Sequence, residues 1–131
     1  MSQEIISKED SENIFNFAVV EAVPVAPECD EQESNAALKI CFQQSILNQV
    51  AKNFNYPKEE RKAGIQGRIY VNFIIEKDAS ISTVEVLRGV SENLDREAVR
   101  VVKALNIDKP AIQRGKPVRM SFTLPINAQL N

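Results

Sequence analysis

The chain has 131 residues, 44% apolar and 26% charged, with a net charge of −2. That suffices for one domain with a real core, and the charge argues against a strongly basic surface, so no nucleic-acid partner is expected. No apolar run approaches the ~20 residues that span a bilayer, and the polar, acidic start "MSQEIISKEDSEN" has neither the basic nor the apolar region of a signal peptide.

Residues 1–13 are charged and aperiodic and read as a disordered lead-in. In "IFNFAVVEAVPVAP" the positions Phe15, Phe17, Val19, Glu21, Val23 and Val25 share one parity, as in an extended segment. Pro24 and Pro27 bar it from the middle of a sheet. "ECDEQESN" then reads as an acidic loop, so 14–33 is taken as an extension ahead of a domain over 34–131.

The first helix follows, with Ser34 or Asn35 able to cap it. Leu38, Phe42, Ile46, Val50 and Phe54 recur every four residues, and Leu47 and Ala51 widen the stripe. Tyr56-Pro57 ends it, because the residue before a proline is pushed out of the α region. "KEERKAG" adds one more helical turn, with Gly64 as its C-cap.

A hairpin comes next. Ile69, Val71, Phe73 and Ile75 point one way, "KDAS" turns, and "ISTVEVLRG" returns with Val84 and Val86 on the buried face. Ile74 and Leu87 fall on the outer face. The second helix, "SENLDREAVRVVKALN", carries one stripe of Leu94, Ala98, Val101, Val102 and Leu105. The loop "IDKPAIQRGKP" leads to a last strand in which Val118, Met120, Phe122, Leu124 and Ile126 alternate with Arg119, Ser121, Thr123 and Pro125. A proline at each end marks this strand as an edge.

The order helix, hairpin, helix, strand predicts an α+β two-layer sandwich. Two helices pack on one face of a three-stranded antiparallel sheet, with the last strand beside the first hairpin strand.

Chemical motifs are sparse. There is no histidine, which removes Ser-His-Asp and Cys-His nucleophiles and the commonest zinc ligand. No catalytic residue, metal site or cofactor is expected. Glu76 with Asp78, and Asp95 with Glu97, are the candidate carboxylate pairs for an enzyme, but a turn and a helix N-terminus favour acidic residues anyway. Arg114, Lys116 and Arg119 form a small basic cluster beside the last strand. Cys29 and Cys41 are either bonded or two free thiols; a bond would stabilise by about 3 kcal/mol. The most specific physical feature is the open strand edge. Such edges are blunted, or they accept an extended peptide as an added strand.

Four stretches, in order, resemble the C-terminal domain of TonB, the energy-transducer family of Gram-negative bacteria. "NFNYP" is similar to its Tyr-Pro element, and "GIQGRIYVNFIIEKDASISTVEVLRG" to its glycine-led hairpin. "ENLDREAVRVVKAL" is similar to its Leu-Asp helix, and "RGKPVRMSFTLPINAQL" to its closing strand. The upstream "FAVVEAVPVAPECDEQ" and "CFQQSILNQVAKNFNYP" resemble the versions found in Bacteroidetes. Asp78-Ala79 departs from the family's Asp-Gly, and Ala128 from its aromatic.

The resemblance implies a non-enzymatic periplasmic adaptor. It binds the TonB box of outer-membrane transporters by strand addition and serves nutrient or siderophore uptake. ExbB and ExbD drive it through an inner-membrane anchor, absent from this chain, which therefore reads as a periplasmic fragment with Met1 as an added start. The implied binding residues are Tyr56, Pro57, Val118, Arg119, Met120, Ser121, Phe122, Thr123 and Leu124. The oxidising compartment favours a Cys29–Cys41 disulfide. A monomer or a strand-swapped dimer is expected, and the upstream "FAVVEAVPV" is a candidate cover for the binding edge. The alternatives are a TolA-like or generic periplasmic peptide-binding scaffold and, in a different class, a small carboxylate-dependent enzyme.

Overall fold

The structure, a computed structural model, describes residues 13–130. Apart from Asn13, the lead-in expected over 1–13 lies outside the described residues. Eight elements follow in order: β1 (Ile14–Asn16), α1 (Asn35–Asn53), α2 (Lys58–Ala63), β2 (Gly67–Ile75), β3 (Ile81–Arg88), α3 (Glu92–Lys103), β4 (Ala111–Gln113) and β5 (Lys116–Ala128). Among the described residues no helix is long and apolar enough to cross a membrane.

The helices start and stop where local chemistry dictates. The Ser34 hydroxyl accepts the Ala37 N–H at 3.1 Å and caps α1. Asn35 does something else: its side-chain oxygen accepts the Val23 N–H at 3.0 Å and ties the preceding segment to the helix. Gly64 closes α2 at φ 68°, the left-handed conformation a C-cap requires. Ser91 caps α3 through Leu94 N–H.

The inward residues of α1 (Leu38, Phe42, Ile46, Val50) and of α3 (Leu94, Ala98, Val101, Val102) share one core with Ile69, Val71, Phe73 and Ile75 of β2. Val118, Met120, Leu124, Ile126 and Ala128 of β5 complete it. Phe122 stands at the centre of an aromatic cluster, with ring centroids 4.8 Å from Phe17, 5.3 Å from Phe42 and 5.9 Å from Phe73. On the outer face Ile74 is buried and Leu87 is exposed, so they form no joined patch.

The α+β class agrees with expectation, but the sheet does not. It has five strands and is mixed rather than three-stranded and antiparallel. The central order β3-β2-β5 is as expected, with both pairings antiparallel. Two short strands were missed. β4 pairs antiparallel with Lys116–Val118 through a turn at Arg114 (φ 52°) and Gly115 (φ 75°). These are two successive left-handed residues, the pattern of a two-residue hairpin loop. β1 lies parallel to Arg119–Ser121.

The segment between β1 and α1 is packed against the domain. Phe17, Val20, Val23 and Ala26 are buried in the core. Ala22 and Val25 bridge to Ile112 and Lys109, and a disulfide joins Cys29 to Cys41 in α1.

Candidate functional site

β5 is an edge strand over only part of its length. Its first three residues are paired with β4 and the next three with β1. Beyond Ser121, no described strand lies on the side of β5 away from β2. The Ser121 carbonyl accepts the Phe17 N–H at 3.3 Å, so it faces away from β2. Strand backbones alternate direction, so the main-chain groups of Thr123, Pro125 and Asn127 face the same open side. Pro125 offers a carbonyl there but no N–H. The open edge thus presents donors at Thr123 and Asn127 and acceptors at all three positions.

A groove of about 380 Å³ runs beside this edge. Its floor and wall come from Leu47, Val50 and Ala51 of α1, from Phe54 at its C-cap, from Tyr56, and from Pro125–Gln129, with Arg61 at one side. Leu47 is 48% exposed. It belongs to the helical stripe but faces the groove instead of the core, as Ala51 does. The Tyr56 ring stacks edge-on with Phe54 at 6.1 Å, and its hydroxyl donates to the Ile65 carbonyl. Those contacts fix the ring at the end of the groove. A larger depression beside the disulfide is lined mostly by polar side chains, including Gln44, Asn48 and Gln49, and touches no strand.

The residues expected to bind a partner therefore fall into separate places. Tyr56 comes beside the open part of β5, and Pro57 sits behind it as the N-cap of α2. Thr123 contributes an outward backbone, while its hydroxyl accepts from the Asn72 amide at 2.9 Å. The side chains of Val118, Met120 and Leu124 are core, and Phe122 is held in the aromatic cluster. Arg119, Met120 and Ser121 are paired with β1. Of the edge expected to be free over Val118–Leu124, Val118 is thus already paired with β4 and Arg119–Ser121 with β1. Pro125, Asn127, Gln129, Leu47 and Ala51 were not singled out. The outward positions of β5 continue the same alternation past Leu124, and that was the available signal.

The charged candidates are occupied. The Arg119 guanidinium donates to Glu76 at 2.8 Å and 3.2 Å. That bond, helped by the Ser82 hydroxyl, holds the Glu76 carboxyl below its ordinary range. Arg119 therefore brings a paired charge to the basic cluster. Asp78 is lowered by hydrogen bonds from Ser80, and Glu97 by Arg100. Asp95 accepts the Val90 N–H at 2.9 Å. Glu60, buried, accepts from Ser91 and Asn93, and the Ser91 bond lowers its carboxyl. Each carboxylate of the two candidate pairs thus holds a turn, a loop or an arginine. Among the described residues no group of acidic or cysteine side chains is arranged to hold a metal.

The family model of the Gram-negative bacterial TonB protein C-terminal matches residues 52–129. No curated protein matches the chain. Two solved structures of Helicobacter pylori TonB-CTD share the fold. The one of residues 179–285 is 23% identical, covers 77% of this chain and 87% of its own, and superposes with a TM-score of 0.59. The one of residues 194–285 is 20% identical, covers 67% of this chain and 92% of its own, and gives 0.52.

Proposed function

This chain belongs to the family of Gram-negative TonB C-terminal domains, energy transducers that work in the periplasm, and we propose that it is the partner-binding module of such a transducer. It takes the TonB box of an outer-membrane transporter as an added strand on β5. It is pulled by ExbB and ExbD through an inner-membrane anchor outside this chain. No covalent chemistry is involved.

One observation carries this reading: the outward main-chain groups of Thr123–Asn127 lie beside a groove that an alternating side chain can enter. An extended peptide satisfies the open donors and acceptors, each net bond contributing about 1 kcal/mol. Every second side chain then points to the groove side, where Leu47, Ala51 and Tyr56 wait. The burden falls on backbone groups, so the surface tolerates different partner sequences. Binding at Arg119–Ser121 requires β1 to leave first.

Thr123→Pro tests the reading. Position 123 is equivalent in direction to Pro125, so the proline removes an outward donor and spares the ladder to β2. The variant keeps its far-UV circular dichroism. Its affinity for a TonB-box peptide, titrated by NMR, drops about tenfold or more, from one lost donor and one stranded partner carbonyl. Unchanged affinity in a folded Thr123→Pro chain refutes the edge.

A further inference from the structure

β1 already does to β5 what an added strand does. It lies alongside Arg119–Ser121 in three-residue register and is continued by the Phe17 N–H to Ser121 carbonyl bond. It is held lightly. Ile14 and Asn16 are exposed, and Phe15 is only partly buried.

The segment immediately after it is held firmly, by contacts that need neither Ile14 nor Phe15; Phe17 itself stays on β5 through its ring against Phe122 and its N–H to the Ser121 carbonyl. The Asn16 carbonyl accepts from Val19 and Val20 at 3.0 and 3.1 Å, and its side-chain oxygen accepts the Ala18 N–H at 2.9 Å. These bonds close the turn after β1 by itself. Phe17, Val20, Val23 and Ala26 are buried, and the Cys29–Cys41 bond anchors the far end. The chain therefore has a hinge at Asn16. Ile14 and Phe15 can leave the sheet about it without unravelling the segment behind them.

We infer that β1 is an internal competitor for the partner strand: a gate over the Arg119–Ser121 half of the β5 edge, hinged at Asn16. This rests on the strand-addition reading above. The Thr123–Asn127 half is open at rest and takes the first residues of an extended peptide. A longer peptide gains the second half only by displacing β1. A chain whose gate is mostly closed binds such a peptide more weakly, by the fraction of time the gate is open.

Two variants test it. Deletion of residues 1–15 removes Ile14 and Phe15 from the edge and keeps Asn16, the turn it closes and the anchored segment. Phe15→Pro keeps the residue count and removes the donor that faces β5. TonB-box peptides of two lengths are titrated against full chain and variants, one covering Thr123–Asn127 and one long enough to reach Arg119. Hydrogen exchange at the Ser121 amide reads the gate directly. The expected result is about tenfold tighter binding of the long peptide to both variants, with the short peptide unchanged. Ser121 exchange is faster in both variants until the long peptide is added. Equal affinity of the long peptide for full and deleted chains overturns the gate and leaves the adaptor reading standing. Failure of the deleted chain to bind either peptide overturns the adaptor reading and the gate with it.

Discussion

Replacing Cys29 and Cys41 by alanine isolates what the disulfide contributes. The bond spans a sequence separation of 12. A loop of that size restricts the unfolded chain enough to stabilise the fold by about 3 kcal/mol in the chain-entropy model. The native segment has other holds that survive the substitution. Asn35 keeps the Val23 N–H, the Val25 carbonyl accepts from Asp108 at 2.9 Å, and Val23 and Ala26 stay buried. The loss therefore arises mainly from the unfolded state. Urea unfolding followed by circular dichroism is expected to show about 3 kcal/mol less stability, with a larger denaturant slope because the unlinked chain exposes more surface. The thermal midpoint falls by roughly 10 °C. The Phe17 and Phe42 rings, 5.2 Å apart, keep their mutual NMR contacts. Loss of those contacts in the folded variant would show that the bond holds the native segment in place, and would refute the account. So would a stability change under about 1 kcal/mol.

Two further outcomes follow from the same geometry. Ala79 sits at φ 70° in the β2–β3 turn, a conformation costing an L-residue about 1–2 kcal/mol. Ala79→Gly is expected to gain about 0.5–1 kcal/mol after glycine's greater unfolded freedom is counted, measured by urea unfolding; any loss contradicts the strain. Glu76, lowered by Arg119 and Ser82, stabilises the fold above the ordinary carboxylate value of 4.5, and that contribution is lost as pH falls through its folded pKa. Glu76→Gln is expected to cost about 1 kcal/mol at pH 7, a charged but partly solvated bond, with the deficit shrinking on acidification below 4.5. A deficit that stays constant from pH 7 to pH 3 contradicts the linkage.

The long periodic elements were legible because one period governed each of them. Leu38, Phe42, Ile46 and Val50 marked the buried side of α1, and Val118 to Ile126 marked the inner face of β5. The stripe of α1 was read too wide. Leu47 and Ala51 border a groove, because helix position relative to the sheet edge, not helical period, decides which flank is covered. The two short strands were illegible for a different reason. Three residues carry no period, and the β1–β5 contact is parallel and joins positions over a hundred residues apart. Pro24 and Pro27 were correct signs that their own stretch is not a central strand. They said nothing of Ile14–Asn16 upstream. The Arg114-Gly115 pair was a usable hairpin signal that the surrounding loop composition hid. Tyr56 and the end of the last strand line one groove, while the free length of that strand depends on a contact no local pattern encodes.

Pro125 has a consequence for the company this domain keeps. An exposed strand edge is a template for endless growth, since each added copy offers a fresh edge of its own. Two copies of β5 laid side by side would each bring the same missing N–H, at Pro125, to the shared ladder. A guest strand with no proline at the facing position meets that gap once, and it ends the stack where its own short extended stretch ends. The edge is thereby biased toward a single foreign strand and away from its own kind. If the edge takes a partner strand as proposed above, the ladder carries within itself a safeguard against aggregation.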